Sequence, residues 1–308
     1  MVYDILIIGG GSAGITAGIY AKRAGRKVAV IEKYVPGGQL NLIGEIENYT
    51  GFEKIEGAEL AVNFYKHASS LGLEFITDEI VDFKFDNPVK TLQGKNNTYQ
   101  AYSVILALGS HPRELNIEGE EKYKGRGVSY CALCDGNFFR NKTVAVVGSG
   151  DSAFSDALYL SPICSQVFIL SKPNLKLHNY TENEIADLKN VKLIKGALST
   201  SIDGDEKVNK LCYKSNEEDK CLLVDGVFVA IGRTTDTQNL KDKISLSERG
   251  FIITNNKMET NVEGVFACGD IREENIKQIA CAVGDGAVAG TEASKYVLRL
   301  KHSLKISD

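Results

Sequence analysis

Residues 7–14 read Ile-Ile-Gly-Gly-Gly-Ser-Ala-Gly, at the end of an apolar run that starts at Ile5. Residues 146–153 read Val-Val-Gly-Ser-Gly-Asp-Ser-Ala, at the end of a second apolar run that starts at Val144. Each reads as a short buried strand that enters a glycine turn and then a helix. Shortly before the second turn stands Cys131-Ala132-Leu133-Cys134-Asp135. Two dinucleotide-type turns with a dithiol between them are the pattern of a protein that moves electrons to or from a disulfide.

The first turn sets the frame. Residues 3–8 form a strand, Ala13 to Ala24 a helix and Lys27 to Ile31 the next buried strand, closed by Glu32. Gly9 allows the tight turn, Gly11 lets a phosphate approach the backbone, and Gly14 permits close packing of helix on strand. Ser12 and Ala13 open the helix, whose unpaired N–H groups and partial positive charge face a pyrophosphate. Glu32 lies about 20 residues on, where an acidic side chain holds a ribose. The grammar returns at 143–170, with a helix over Ser152 to Leu160 and a strand over Val167 to Leu170. The fold class is therefore α/β, with two Rossmann-like dinucleotide-binding domains. A β-hairpin is expected between Phe83 and Leu106, turning near Gly94-Lys95-Asn96. Polar stretches at Arg113–Gly127 and Asn239–Gly250 bracket the second unit. They divide the chain into 1–115 with 246–308, and 116–245. The tail is too short to fold alone and returns to the first domain, which is discontinuous.

Bulk composition narrows the function. The 308 residues suffice for about two domains. The formal net charge of −4 argues against nucleic acid as a partner. No apolar run approaches the ~20 residues that span a bilayer, and the N-terminus enters a strand pattern at once, with no room for a signal peptide. A cytoplasmic protein with no membrane partner is expected. Seven cysteines in a chain of this length do not make a secreted disulfide framework. Zinc would ask four ligands of Cys131 and Cys134 and their surroundings. There is no second Cys-x-x-Cys, and His67, His111, His178 and His302 have no ligand spacing, so no metal is expected. A redox dithiol fits better, because the motif lowers one thiol's pKa and Asp135 can move the accompanying proton. Cys164, Cys212, Cys221, Cys268 and Cys281 have no such neighbours and read as packing thiols.

These residues carry a resemblance that spans nearly the whole chain. With Pro36-Gly37-Gly38-Gln39-Leu40, Asn48-Tyr49-Thr50-Gly51-Phe52, residues 127–136 (GVSYCALCDG), residues 229–232 (VAIG), Cys268-Gly269-Asp270, Lys277-Gln278 and Gly284-Asp285-Gly286 added, the chain resembles the low-molecular-weight, bacterial-type thioredoxin reductases. The resemblance implies two domains of the three-layer ββα type, FAD in the first and a redox disulfide Cys131–Cys134 in the second. It implies that Cys131 attacks a thioredoxin disulfide, that Cys134 faces the flavin and that Asp135 supplies protons. It also implies that Gly38 and Gln39 line the isoalloxazine, that Asp270 holds the ribityl chain, and that Gln278 stands at a helix start beneath the flavin. Leu40, Asn48, Gly109, Gly269, Lys277 and Ile279 join the cofactor-binding set on the same ground, and a homodimer is implied. Two departures are Leu108, where the family has Thr, and Cys268, where it has Ala.

The second turn departs further. In the family the following strand ends in His-Arg-Arg, with another Arg beyond, and these cations bind the 2′-phosphate of NADPH. Here the strand ends in Ser171-Lys172-Pro173, followed by Asn174-Leu175-Lys176-Leu177. No arginine remains, no acidic residue is there to hold the ribose of NADH, and lysine does not reproduce the bidentate grip of arginine. In this the chain resembles the ferredoxin-dependent flavin thioredoxin reductases, with reduced ferredoxin as electron donor. Two alternatives stay open: an NADPH-dependent thioredoxin reductase with an atypical cofactor site, and an O2-dependent dithiol oxidase of the same fold. For an acidic ferredoxin the C-terminal helix offers Lys295, Arg299 and His302 along one face, with Lys301 and Lys305 nearby.

Overall fold

The computed structural model describes residues 1–306. The chain divides into two compact units, Met1–His111 with the segment from Thr234 onward, and Pro112–Arg233.

In the first unit β1 (Val2–Ile8) runs into α1 (Ser12–Arg23) and then β2 (Val28–Glu32). The strands Glu74–Thr77, β2, β1 and Thr98–Leu106 lie side by side in parallel. The far edge of Thr98–Leu106 is shared. Its first half pairs antiparallel with Lys90–Gly94, which pairs in turn with Ile80–Lys84. Its second half pairs in parallel with Val265–Ala267, which brings the C-terminal segment into the sheet. The hairpin expected near Gly94 is thus a meander that peels away from the parallel layer.

Both faces of the parallel layer are covered, so its strands are apolar throughout rather than alternating. Ile5 and Ile7 pack with α1 and the C-terminal helix Ile279–Leu304, among them Ile15, Ala293 and Val297. Leu6 and Ile8 pack on the other side with Phe83 and Leu92 of the meander and with Leu240, Ile244 and Ile252. Composition had suggested that the chain returns to this unit at residue 246. The return lies at Thr234, because the polar stretch after it carries Leu240 and Ile244, which are buried in the first unit's core.

The C-terminal helix lies against α1 with almost no side chain between them. A Cβ on Gly286 would stand 2.3 Å from the carbonyl oxygen of Ala13, and one on Gly290 would stand 2.4 Å from that of Ala17. Such separations are far inside van der Waals contact, so only glycine fits at these two positions.

The second unit repeats the plan. Val128–Ser129, Gly226–Val229, Thr143–Val147, Gln166–Ser171 and Val191–Lys195 form a parallel sheet in that order. The helix Asp151–Leu160 covers one face through Phe154, Ala157 and Leu160. A three-stranded antiparallel sheet (Leu198–Gly204, Val208–Ser215, Glu218–Leu223) covers the other through Ile202, Leu211 and Tyr213. Among the described residues no helix is long and apolar enough to cross a membrane.

One ion pair joins the C-terminal helix to the first strand. Lys301 Nζ lies 2.8 Å from Asp4 Oδ1, and both side chains are almost wholly buried. The other oxygen of Asp4 accepts the Lys27 N–H at 2.9 Å. Removing one partner of such a pair strands the other charge, so Lys301→Ala is expected to destabilise the protein by about 3–5 kcal/mol. In the double variant Asp4→Asn, Lys301→Met both charges are gone and the Lys27 N–H keeps an acceptor. Urea unfolding should show it recovering most of that loss; equal losses in the single and double variants would refute a charge-based cause.

Candidate functional site

The first glycine turn has the geometry of a phosphate cradle. Gly9 sits at φ +105°, and a Cβ on Gly14 would lie 1.9 Å from the Gly9 carbonyl oxygen, so α1 starts hard against the strand end. Gly11 is the N-cap of α1 and no side chain caps the helix. A Cβ there would meet nothing within 4 Å. The helix therefore presents the N–H groups that begin at Ser12 and Ala13 to open space, with its positive end outward. An anionic diphosphate fits this arrangement. Glu32, at the end of β2, accepts the Gly10 N–H at 2.7 Å through one oxygen and the Tyr34 N–H at 2.9 Å through the other. It braces the turn and keeps lone pairs for a ribose.

The other candidate residues of the first unit gather on this turn. Gly38 begins the short helical turn Gly38–Leu42 and packs on Gly11, its missing Cβ 3.2 Å from the Gly11 Cα. Gln39 donates from Nε2 to the Ser110 carbonyl and lies beside Gly109, which has φ +71°. Leu40 is buried beneath, with Ile279 packed on the same cluster. Asn48 donates to Gln278 Oε1 at 3.0 Å, and Gln278 is the N-cap of the C-terminal helix. Gly269, at φ +75°, faces the Ala13 side chain and leads into Asp270. Residues scattered from 9 to 279 thus converge where the helix starts at Gly11 and Gln278 meet the sheet. Lys277 donates to the Arg272 carbonyl and stands over the Phe251 ring at 4.6 Å.

Asp285, part of a glycine-flanked motif in the sequence, has a structural task in the fold. Its Oδ2 accepts the Gly269 N–H at 3.0 Å and pairs with Arg272 at 2.7 Å. Arg272, itself buried, also reaches Thr254 Oγ1 at 2.7 Å. This network fixes the loop that carries Asp270. Arg272 carries no signal in the sequence beyond ordinary surface charge.

In the second unit Gly148, like Gly14, has no room for a side chain, its missing Cβ 2.3 Å from the Ala230 carbonyl oxygen. The chain after the strand is bound to this turn. The Lys172 N–H donates to Ser149 Oγ at 2.9 Å and the Lys176 N–H to the Ser149 carbonyl at 2.7 Å. Asp151 accepts the N–H groups of His178 and Asn179. Burial would raise the Asp151 pKa, but these donors hold it below the usual carboxylate range. The segment that reaches the turn therefore brings lysine, proline and asparagine, and no guanidinium.

Cys131 and Cys134 form a disulfide, with Cα atoms 5.3 Å apart at the start of the short helix Ala132–Asp135. Cys131 is half-buried and Cys134 exposed. The Cys134 N–H points at Cys131 Sγ at 3.1 Å, which favours a thiolate on Cys131. Ser129 Oγ donates to Asp135 Oδ2 at 2.5 Å and accepts the Cys131 N–H at 3.1 Å, linking the acid to the dithiol. Burial raises the Asp135 pKa and the Ser129 bond offsets only part of this. Such an acid can hold a proton at a pH where a free aspartate would not. The approach to Cys131 is held by Glu120, which lies buried within a stretch that composition marked as a polar boundary. It accepts the N–H groups of Leu115 and Asn116 and the Tyr130 hydroxyl.

Two readings of the remaining cysteines change. Cys164 and Cys268 are buried, and burial raises both thiols, Cys164 to about 11. Cys281 is exposed rather than packed. Cys212 and Cys221, expected as separate packing thiols, are joined in a disulfide because a hairpin register sets them directly opposite one another. The cationic face of the C-terminal helix is also smaller than expected. Lys301 turns inward to Asp4 and Lys295 pairs with Glu292 at 2.6 Å, while Arg299 and His302 are exposed. Among the described residues no group of His, Cys, Asp and Glu is placed to hold a metal ion.

The pyridine nucleotide-disulphide oxidoreductase family matches residues 3–286. A thioredoxin reductase from Listeria monocytogenes is 38% identical over 99% of this chain and 97% of its own length. The crystal structure of a thioredoxin reductase from Streptococcus pyogenes is 36% identical and superposes with a TM-score of 0.91 over 97% of this chain and 99% of its own. A ferredoxin-flavin thioredoxin reductase from Clostridium acetobutylicum is 32% identical with a TM-score of 0.54, over 96% and 98% of the two chains.

A second half-buried acid, Asp156, lies on the helix Asp151–Leu160, whose Tyr159 and Leu160 meet Gly136 just after the dithiol. Burial alone pushes it from the ordinary 3.8 up to about 6. With the folded-state pKa raised, its contribution to stability is fully present below pH 3.8 and is lost as pH rises through about 6. That gap corresponds to about 3 kcal/mol. Asp156→Asn is therefore expected to be the more stable form above pH 6 and indistinguishable from the parent near pH 3.5. Urea unfolding across that range checks it, and a variant destabilised at neutral pH would contradict the sign.

Proposed function

This chain belongs to the pyridine nucleotide-disulphide oxidoreductase family, among the thioredoxin reductases of the low-molecular-weight bacterial type, and on that premise we propose that it reduces thioredoxin with electrons from reduced ferredoxin rather than from NADPH. Thioredoxin reductases of this family are FAD-binding flavoproteins. When bound, FAD supplies a two-electron store that can be filled one electron at a time.

The residues present fit that group. The open helix start at Gly11 would hold the diphosphate, Glu32 the adenosine ribose and Asp270 the ribityl chain, with Gly38, Gln39 and Gln278 around the ring system. In the second unit the Cys131 thiolate, favoured by the Cys134 N–H, attacks one sulfur of the thioredoxin disulfide. The other thioredoxin sulfur leaves as a thiolate and takes a proton. Cys134 then attacks Cys131, releasing the second thioredoxin thiol and closing the Cys131–Cys134 disulfide. Two electrons and two protons restore the dithiol, and Asp135 holds a proton for this step. The exposed Cys134 is the sulfur open to the reductant.

The observation that carries the choice of donor is the end of the strand Gln166–Ser171. The segment bound to the second turn offers Lys172, Pro173, Asn174 and Lys176 where a 2′-phosphate needs guanidinium groups. Each charge-assisted hydrogen bond to a phosphate contributes ~1.5–3 kcal/mol, so the loss of two weakens binding roughly 100-fold to 10,000-fold. The likeness to a ferredoxin-flavin thioredoxin reductase supports the same reading. Electron flow from a ferredoxin near about −400 mV to thioredoxin near about −270 mV is downhill by about 6 kcal/mol per two electrons. Arg299 and His302, with Lys295 beside them paired to Glu292, are the face proposed for the acidic donor. The reading extends to a homodimer working in the cytoplasm.

Cys131→Ser and Cys134→Ser are each expected to abolish thioredoxin reduction with flavin still bound. Asp135→Asn should lower turnover about 100-fold, the scale of a lost proton donor. Heat-released cofactor should chromatograph as FAD, and FMN would rule out a ribose at Glu32.

The donor is tested by anaerobic stopped-flow absorbance. Reduced ferredoxin should bleach the flavin at least as fast as turnover, more slowly as salt rises, whereas NADPH and NADH should bleach it far more slowly. Rapid bleaching by micromolar NADPH would return the protein to the NADPH-dependent class.

A further inference from the structure

We propose that Cys212 and Cys221 form a second thiol–disulfide couple, at the surface of the second unit and separate from Cys131–Cys134, which exchanges with low-molecular-weight thiols and their disulfides. The hairpin Val208–Ser215 and Glu218–Leu223 is in continuous register from Lys210↔Leu223 to Ser215↔Glu218, and Cys212 lies opposite Cys221. Asn216 and Glu217, at φ 51° and 65°, both take the left-handed conformation of a tight two-residue hairpin turn. Backbone pairing and turn alone therefore hold the two sulfurs face to face, with or without a bond between them. The bond spans nine residues that the hairpin already closes, so the fold has little need of it.

Its position suits exchange. Leu211 and Tyr213, the neighbours of Cys212 along the strand, point into the core, so Cys212 stands on the opposite face of the sheet. Cys221 lies on the edge strand and is exposed. The Cys212 sulfur is 3.9 Å from Asp203 Oδ2, a carboxylate that also receives Lys210 at 3.6 Å and the Ser201 hydroxyl at 3.2 Å. When the bond is reduced, this carboxylate is placed to accept the Cys212 S–H, so both oxidation states have partners.

A thiolate from a small dithiol attacks the exposed Cys221 sulfur, and the Cys212–Cys221 bond breaks. Cys212 leaves as a thiolate and takes a proton. The second thiol of the reagent then attacks the mixed disulfide and releases Cys221, so that the reagent ends as a disulfide and the protein as a dithiol. In the reverse direction a small disulfide is the oxidant. A disulfide that persists in a reducing compartment is more often redox-responsive than structural.

The test is a redox titration of the native holoenzyme in mixtures of reduced and oxidised dithiothreitol, followed by alkylation without denaturant and peptide mass spectrometry, which reads the 212/221 pair apart from the 131/134 pair. The alkylated-to-disulfide ratio of the 212/221 peptides is expected to change tenfold for each ~30 mV of buffer potential, the slope of a two-electron couple. The variant Cys212→Ser, which leaves Cys221 as an exposed thiol, is expected to take up glutathione from oxidised glutathione on the Cys221 peptide, read apart from the exposed Cys281. Cys212→Ser, Cys221→Ser is expected to retain thioredoxin-reducing turnover. A pair that stays a disulfide in excess dithiothreitol, a pair that stays two thiols in excess oxidant, or a Cys212→Ser protein whose Cys221 peptide takes up no glutathione would each overturn the proposal.

Discussion

The first unit depends on how closely two helix backbones approach. Gly286 and Gly290, one helical turn apart, let the C-terminal helix lie on the carbonyl groups of Ala13 and Ala17. The helix that ends the chain is thereby held beside the helix that begins it, and Lys301 and Asp4 add a second point of attachment. This contact carries the loop of Gly269 and Asp270 onto the first glycine turn and sets Gln278 beside Asn48. A methyl group at either glycine would push the helices apart and pull the two halves of the cofactor site out of register.

The two units share a plan and divide the work. Both have a parallel sheet with a glycine turn, a helix on one face and antiparallel strands on the other. In the first, the turn opens to space at Gly11 and is surrounded by residues from distant parts of the chain. In the second, the turn is joined to the segment that follows its own strand, through Ser149 and Asp151. The duplicated frame thus keeps its packing role in both units, since Gly14 and Gly148 both lie too close to backbone for a side chain. What differs is the chemistry that the flanking segments bring to it.

The dithiol shows how small polar groups tune a reactive pair. A single backbone N–H favours charge on Cys131 rather than Cys134. A single hydroxyl, that of Ser129, ties the neighbouring acid to the backbone of that cysteine. Partial burial raises the pKa of Asp135, and that of Asp156 to about 6. Glu120, buried and satisfied by two backbone donors and a tyrosine hydroxyl, holds the strand that delivers Cys131.

The sequence by itself determined the strand–turn–helix units, the two-domain plan, the dithiol and the missing arginines. Each of these is written in local periodicity, in glycine spacing or in the identity of neighbouring residues, and such signals need no knowledge of distant parts of the chain. Tertiary structure alone decided the rest. The return of the chain at Thr234 rests on the burial of Leu240 and Ile244 under a sheet made of other residues. Arg272 with Asp285, Glu120 and Lys301 look like surface charges in the sequence, and become structural only where the fold sets a partner against them and takes both from water. Cys212 and Cys221 are nine residues apart with nothing to mark them as a pair. Whether two sulfurs can bond depends on strand register, and register is set by which face of the hairpin the core buries. Pairing across space follows from packing, and packing is a property of the whole chain.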